Sequence, residues 1–498
     1  MNASPPRPSL DPAFVLARPQ LRVDATLARL QQTLQQQPIL SATTAAELTA
    51  RLPPELPRSG RPLAEVVDNL WPVVVAHARR NNAAGFHSYV CGSGLPTDPL
   101  AGAMAAALNQ NVTGFSSAPG ATTVEKQLLA WLVRLVGLGN GADGVLLSGG
   151  SLANFTAVLT ALHHQIDGLE QAPHPGWLRE VGLAATGVKA RIYVASTAHF
   201  SCTRAAVMAG LGRGSVQTVP VDANHRMQVQ ALDAMLSRDR EEGCVPVCVV
   251  ATAGTTTLGR IDPLPEIADV CRAHGVWFHV DAAYGGAAML TDQLRPRLRG
   301  IERADSVTLD LHKWFYMGFD ASALLIAHPE CARNVFYTAA EYVDIERDPP
   351  PERHAFFHLS PETSRRFRAL APMIALWHYG ADTLGANIAH NAACARYLAG
   401  RVVKLACFEL LARPDLSICC FRWCGDGRTH EAEVDRRNVA ITDALRTGGR
   451  WRLSPTTVGG RPVLRVCVQA YSTTADDLDA LLDEILRMTH GVEGSLRS

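Results

Sequence analysis

The stretch Ser306-Val307-Thr308-Leu309-Asp310-Leu311-His312-Lys313-Trp314 decides the fold of this 498-residue chain. An apolar, strand-like run stops abruptly at a lysine flanked by histidine and tryptophan. Upstream, a second run, Val276-Trp277-Phe278-His279-Val280, ends in Asp281-Ala282-Ala283-Tyr284-Gly285-Gly286. The separation between the two motifs holds one crossover, so the spacing predicts neighbouring strands that deliver Asp281 and Lys313 to one pocket. A lysine that forms a Schiff base and an aspartate that holds a pyridinium nitrogen are the two groups that pyridoxal phosphate chemistry needs most. Read alone, each motif also fits a surface lysine after a strand and an aspartate capping a turn.

Working outward, strands alternate with helices. Val145-Leu146-Leu147 reads as a short strand, Ser148-Gly149-Gly150-Ser151 as a turn and Ala153 to Leu162 as a helix. Arg191 to Ala195 and Val245 to Ala251 read as strands, Leu264 to His274 as a helix, and Ser322 to Ala327 as the last strand of the set. This alternation predicts a parallel or mixed α/β sheet, which binds ligands beyond the carboxyl ends of its strands. Ser148, His199, Thr252, Asp281 and Lys313 all fall at or just after such ends. Thr122 stands three residues before Glu125, a capping-box pattern that predicts a helix start there. Residues from Leu21 to about Ala84 read as helical, interrupted by Pro53-Pro54 and Pro57, and Leu370 to about Arg401 as helical too. The expected division is a helical arm over 1–84, a large α/β domain over 85–385 and a small α+β domain over 386–498.

Composition narrows the function. The chain is 47% hydrophobic and 19% charged, the balance of a globular protein. Its 47 basic and 47 acidic residues give no excess that would draw it to nucleic acid or an anionic membrane. No signal peptide or membrane-length apolar run is read, so the expected location is the cytoplasm. The 12 cysteines are dispersed, and the group Cys419, Cys420 and Cys424 lacks a second pair at zinc spacing, so no metal is expected.

The strand-end residues suit one cofactor. Gly149 and Gly150 let backbone approach an anion, and helix-start amides with Ser151 can hold phosphate. A flat imidazole at His199 suits stacking on a ring. A carboxylate at Asp281 keeps a pyridine nitrogen protonated by charge pairing. Lys313 needs a lowered pKa to act as a neutral amine.

The set Ser148-Gly149-Gly150-Ser151-x-Ala153-Asn154, Thr197-Ala198-His199, Thr252-x-Gly254-Thr255-Thr256, His279-Val280-Asp281-Ala282-Ala283-Tyr284-Gly285 and His312-Lys313-Trp314 resembles the pyridoxal phosphate-dependent group II amino-acid decarboxylases. The resemblance runs from about Phe86 into the C-terminal region. It implies an α/β subunit of fold type I, aspartate-aminotransferase-like, with a mixed, mostly parallel seven-stranded sheet and a smaller α+β domain. It also implies pyridoxal 5'-phosphate as cofactor, an amino-acid substrate, and a homodimer with active sites at the interface. Matched residue by residue, it makes Lys313 the Schiff-base lysine, Asp281 the partner of the ring nitrogen, and His199 the stacked histidine. Gly150 and Ser151 become phosphate binders, Thr252 and Ala283 lie against the ring, and His312 stands beside the lysine. The reaction implied is loss of carbon dioxide from an L-amino acid, giving the amine.

One position departs from the family. A loop tyrosine shortly before the Arg365-Arg366-Phe367-Arg368 motif is implicated in returning the proton, and here the aligned residues are Phe356 and Phe357. Such a change goes with oxidative deamination, giving an aldehyde, ammonia and hydrogen peroxide, so Phe356 is expected to bear on the product. His358 and Tyr342 are alternative donors. An aromatic substrate is the first expectation, although Val90 and Cys91 stand where aromatic-specific members tend to carry bulkier residues. A non-catalytic binding protein is the reading from another class.

Overall fold

The computed structural model describes residues 23–337 and 354–491, which divide into two compact units. The smaller comprises residues 23–80 and 445–452 and the larger residues 81–444 and 453–491. In the smaller unit, three helices follow the predicted pattern: α1 (Val23–Gln36), α2 (Ala45–Thr49) and α3 (Leu63–Val74). The prolines between α2 and α3 cannot donate a helical hydrogen bond, which keeps them apart. Thr44 and Glu47 form a reciprocal capping box at α2. Arg29 joins α1 to α3, 2.7 Å from Asp68 and 4.1 Å above the Trp71 ring. Neither α2 nor α3 buries a side chain fully.

The larger unit opens with α4 (Asp98–Leu108) and α5 (Pro119–Val136). There follow β1 (Asp143–Leu147), α6 (Gly150–Asp167), β2 (Lys189–Ala195), α7 (Ser201–Met208), β3 (Val216–Val219), α8 (Val229–Glu241), β4 (Cys244–Thr252), α9 (Leu264–His274), β5 (Trp277–Asp281), β6 (Ser306–Asp310) and β7 (Ser322–Ile326). These strands form one seven-stranded sheet in the order β1-β7-β6-β5-β4-β2-β3. Pairing is parallel from β3 through to β6, and β7 runs antiparallel between β6 and β1. Every residue of β5, β6 and β7 is buried, as expected for strands covered on both faces. This is the fold type I α/β architecture. Beyond α10 (Leu370–Val402), a four-stranded antiparallel sheet is built from β8 (Phe408–Ala412), β9 (Ile418–Trp423), β10 (Thr456–Val458) and β11 (Arg461–Cys467), in the order β10-β11-β9-β8.

Two expectations are corrected. Helix α5 begins at Pro119, three residues before Thr122, because proline at the first helical position is already set for the helix. Glu125 is therefore not a cap. It is fully buried, accepts the Leu146 N–H and pairs with the equally buried Arg365. The predicted helix over Leu370 to Arg401 is interrupted at Gly380, whose φ of 78° and ψ of 156° suit glycine alone. Among the described residues, no helix is long and apolar enough to cross a membrane.

Candidate active site

Parallel strands place their carboxyl ends along one edge of the sheet, and register decides which residues meet there. Thr252 pairs with Asp281, Asp281 with Thr308, and Asp310 with Ser322. The result is a cavity of about 280 Å³. It is lined by Gly150, Ser151, Asn154, His199, Thr252, Asp281, Ala283, Asp310, His312 and Lys313, among others. All the expected cofactor-binding residues are thus brought together, from four strand ends and one helix start.

Asp281 is almost fully buried. Its Oδ1 accepts the Ala283 N–H at 3.2 Å and its Oδ2 accepts the Asn154 amide at 2.9 Å. Asn154 lies four residues into α6, one turn below Gly150, and also donates to Ser201 Oγ at 3.0 Å. Its Oδ1 lies 3.1 Å from His279 Nε2, and His279 Nδ1 lies 2.8 Å from Ser306 Oγ, which accepts the Trp277 indole N–H at 2.9 Å. An indole can only donate and a carboxylate can only accept, so the ends of the chain fix every orientation between. Ser306 then donates to His279, His279 Nε2–H donates to Asn154, and Asn154 donates to Asp281. The same logic has Ser201 donate to His199 Nδ1 at 2.8 Å, leaving the His199 proton on Nε2. Burial holds both histidines neutral, lowering His279 to about 4 and shifting His199 downward.

Lys313 differs from expectation. Its ammonium lies 2.8 Å from Asp310 Oδ2. Burial alone lowers its pKa, but the carboxylates of Asp310 and Asp281 outweigh that and raise the amine above its usual range. The expected lowering is therefore corrected: the free amine is raised. His312 is buried, its Nδ1 3.0 Å from the Ala321 carbonyl and its ring 4.6 Å from that of Phe319. Trp314 points away into the core, where its indole donates to Asn391, which also accepts the Tyr316 hydroxyl and donates to the Ala470 carbonyl.

The phosphate candidates sit at the start of α6, where no side chain caps the first turn and backbone amides are left to an anion. Gly150 is required by space: a Cβ there would lie 2.7 Å from Asp310 Oδ2. Thr252 Oγ1 is a buried hydroxyl without a partner on the cavity wall. An anion-binding turn, a buried carboxylate, an amine and a spare hydroxyl around one small cavity fit pyridoxal phosphate.

Phe356 does not line this cavity. It is fully buried, its N–H donates to the Thr113 carbonyl at 2.8 Å, and its ring lies 4.5 Å from the Arg365 guanidinium. His358 is also buried, its ring against Tyr337 and Phe357, with its pKa pushed down to about 4 by burial. Tyr342 and residues 347–353 of the loop lie outside the described residues. Cys419 and Cys420 lie in β9, and among the described residues no cluster of His, Cys, Asp and Glu is placed to hold a metal ion.

The sequence reading assigned no role to Asn154, Ser201, His279, Asp310 or Ser322. The available signal was periodicity: His279 and Asp281 are two apart on one strand and share a face, and Asn154 is one helical turn from the glycine pair.

The fold and this cavity together define a pyridoxal phosphate-dependent enzyme of fold type I. The chain belongs to the pyridoxal-dependent decarboxylase family, whose conserved domain matches residues 46–424. It is 33% identical over 398 residues to an L-2,4-diaminobutyrate decarboxylase of Acinetobacter baumannii, covering 79% of this chain and 77% of that one. It is 28% identical over 460 residues to an aromatic-L-amino-acid decarboxylase of Bacillus atrophaeus, covering 92% of each. A TM-score of 0.83 at 29% identity relates it to the crystal structure of the glutamate decarboxylase domain of diaminobutyrate-pyruvate transaminase and L-2,4-diaminobutyrate decarboxylase from Vibrio parahaemolyticus, with 97% and 96% of the two chains covered. It is a carboxy-lyase, and the reading as a non-catalytic binding protein is set aside.

Proposed function

We propose that the protein removes the carboxyl group of an L-amino acid, releasing carbon dioxide and the corresponding amine. The observation that carries this reading is the convergence of Lys313, Asp281 and His199 on one cavity. Pyridoxal phosphate, when bound, supplies an electron sink for the pair left by the departing carboxylate. Lys313 would be its covalent anchor. Asp281 would hold the proton on its ring nitrogen, the carboxylate oriented by Asn154 and the Ala283 N–H. His199, neutral and fixed by Ser201, would pack against it. Gly150 and Ser151 would take its phosphate at the start of α6, while Thr252, Ala283 and His312 close the walls. Burial on the cavity floor excludes water and strengthens each of these contacts.

The protein acts as a homodimer with the sites at the interface. Supporting this, Phe200 and Phe319 are each 60% exposed while packing on His199 and His312, so a partner surface would cover apolar rings at the cavity mouth. The division into an arm over 1–84, a large domain over 85–385 and a small domain over 386–498 belongs to the same reading.

A substrate panel including L-2,4-diaminobutyrate and aromatic L-amino acids, assayed for carbon dioxide, amine and peroxide, tests the reaction. One amine per carbon dioxide with no peroxide is expected. Stoichiometric aldehyde and peroxide would establish oxidative deamination instead. Lys313→Ala is expected to abolish the cofactor absorbance band.

A further inference from the structure

Lys313 is the amine that must join the cofactor, yet the closest charged group to it is not Asp281. It is Asp310, three residues before it at the end of β6, with Oδ2 2.8 Å from Nζ. We propose that Asp310 is the counter-ion that holds Lys313 protonated in the cofactor-free protein, so that this carboxylate gates capture of pyridoxal phosphate. The inference rests on Lys313 being the anchoring amine.

Asp310 is held in place from three sides. Its Oδ1 accepts the hydroxyl of Ser322, its register partner on β7. Its Oδ2 lies 3.8 Å from His312 Nε2. The same oxygen is pressed under the first turn of α6, in the space a Cβ on Gly150 would take. A carboxylate so fixed and so buried is a stronger partner for an ammonium than one free to turn into solvent.

The other groups facing the pair do not replace it. Asp281 on β5 also attracts Lys313, but both of its oxygens already accept hydrogen bonds, from Ala283 and Asn154. His199, after β2, and His312 are held toward their neutral forms by burial. Cys91, from the loop before α4, is buried and a weak acid. Asp310 is therefore the only one of these groups in direct contact with the ammonium.

Capture needs the Nζ lone pair. The ammonium must lose one proton to solvent through the cavity. The neutral amine then forms the carbon–nitrogen bond to the cofactor aldehyde carbon, and the aldehyde oxygen leaves as water. While Asp310 remains ionised, the first of these losses is disfavoured, and so capture at neutral pH is slowed. Asp310 also lies beneath the turn that takes the phosphate, where its charge opposes the incoming anion.

The test uses the full-length protein stripped of cofactor and mixed with pyridoxal phosphate from neutral to alkaline pH. Capture is followed by absorbance, and borohydride reduction with peptide mapping locates the joined lysine. Asp310→Asn keeps the shape and the Ser322 contact while removing the charge. It is expected to move the rise of the capture rate about one pH unit lower, equivalent to about tenfold faster capture at neutral pH. Ser322→Ala, which weakens the carboxylate's hold on its charge, is expected to shift the profile in the same direction by less. A profile for Asp310→Asn superimposable on wild type overturns the proposal. If that variant does not fold, an unshifted Ser322→Ala profile overturns it equally. Reduction that finds the cofactor on a residue other than Lys313 overturns the reading of Lys313 itself, independently of the pH profiles.

Discussion

Asn154 reaches from α6 to Asp281, with its amide nitrogen 2.9 Å from Oδ2. That one side chain makes three hydrogen bonds, because it also donates to Ser201 and accepts from His279. Asn154→Ala would leave Asp281 with a single donor and His279 Nε2–H without an acceptor. Each buried group left unpaired costs about 1–3 kcal/mol. Affinity for pyridoxal phosphate is expected to fall at least about tenfold, measured by titrating the stripped protein. Unchanged affinity would remove the network from cofactor holding.

The buried pair of Glu125 and Arg365 ties α5 to β1, since Arg365 also donates to the carbonyls of Val112 and Leu146. Removing one partner strands a charge in the core. Arg365→Met is expected to lower stability by about 3–5 kcal/mol in urea unfolding, and the double variant Glu125→Leu/Arg365→Met to recover part of that loss. A single variant as stable as wild type would show that the pair contributes nothing.

Phe356→Tyr separates the two product chemistries. A tyrosine at this fully buried position adds a hydroxyl to a packed core beside Arg365. Stability is expected to drop by about 1–3 kcal/mol while the ratio of amine to carbon dioxide stays unchanged. A switch in product would return position 356 to the reaction.

His354 gives a pH dependence of known sign. Burial pushes its pKa down to about 4, and its Nε2 has no partner among the described residues. The unfolded chain, with a histidine pKa near 6.5, therefore binds the extra proton more readily than the folded one between those values. Its contribution to stability is complete above pH 6.5 and is lost as pH falls toward 4. His354→Gln cannot titrate, so the stability difference between wild type and variant should narrow by about 1.4 kcal/mol per pH unit below 6.5. Parallel stability curves would show that His354 is not held neutral.

Much of this architecture is legible in the chain. Helix α9 falls on Leu264–His274 as read, because a proline before it and a glycine after it punctuate both ends. Strand ends carrying Thr252, Asp281 and Lys313 are marked by apolar runs that stop at small or polar residues. What escaped was partnership at long range. Asp310 stood in the opening stretch without a role, because its contacts with Ser322 and the space of Gly150 depend on register across β6 and β7 and on the packing of α6. Glu125 was misread for the same reason: the local pattern suited a cap, whereas its true partner lies far downstream at Arg365.

Among the described residues, strand β1 has a hydrogen-bonded neighbour on one side only, and that neighbour is β7. During synthesis the turn at Gly150 emerges early, attached to a strand whose partner has not yet been made. Until residue 326 has left the ribosome, the edge of β1 is unpaired, and the anion-binding turn has no fixed place relative to Lys313. A nascent chain interrupted before Ser322 would thus present both halves of the site without the seam that joins them.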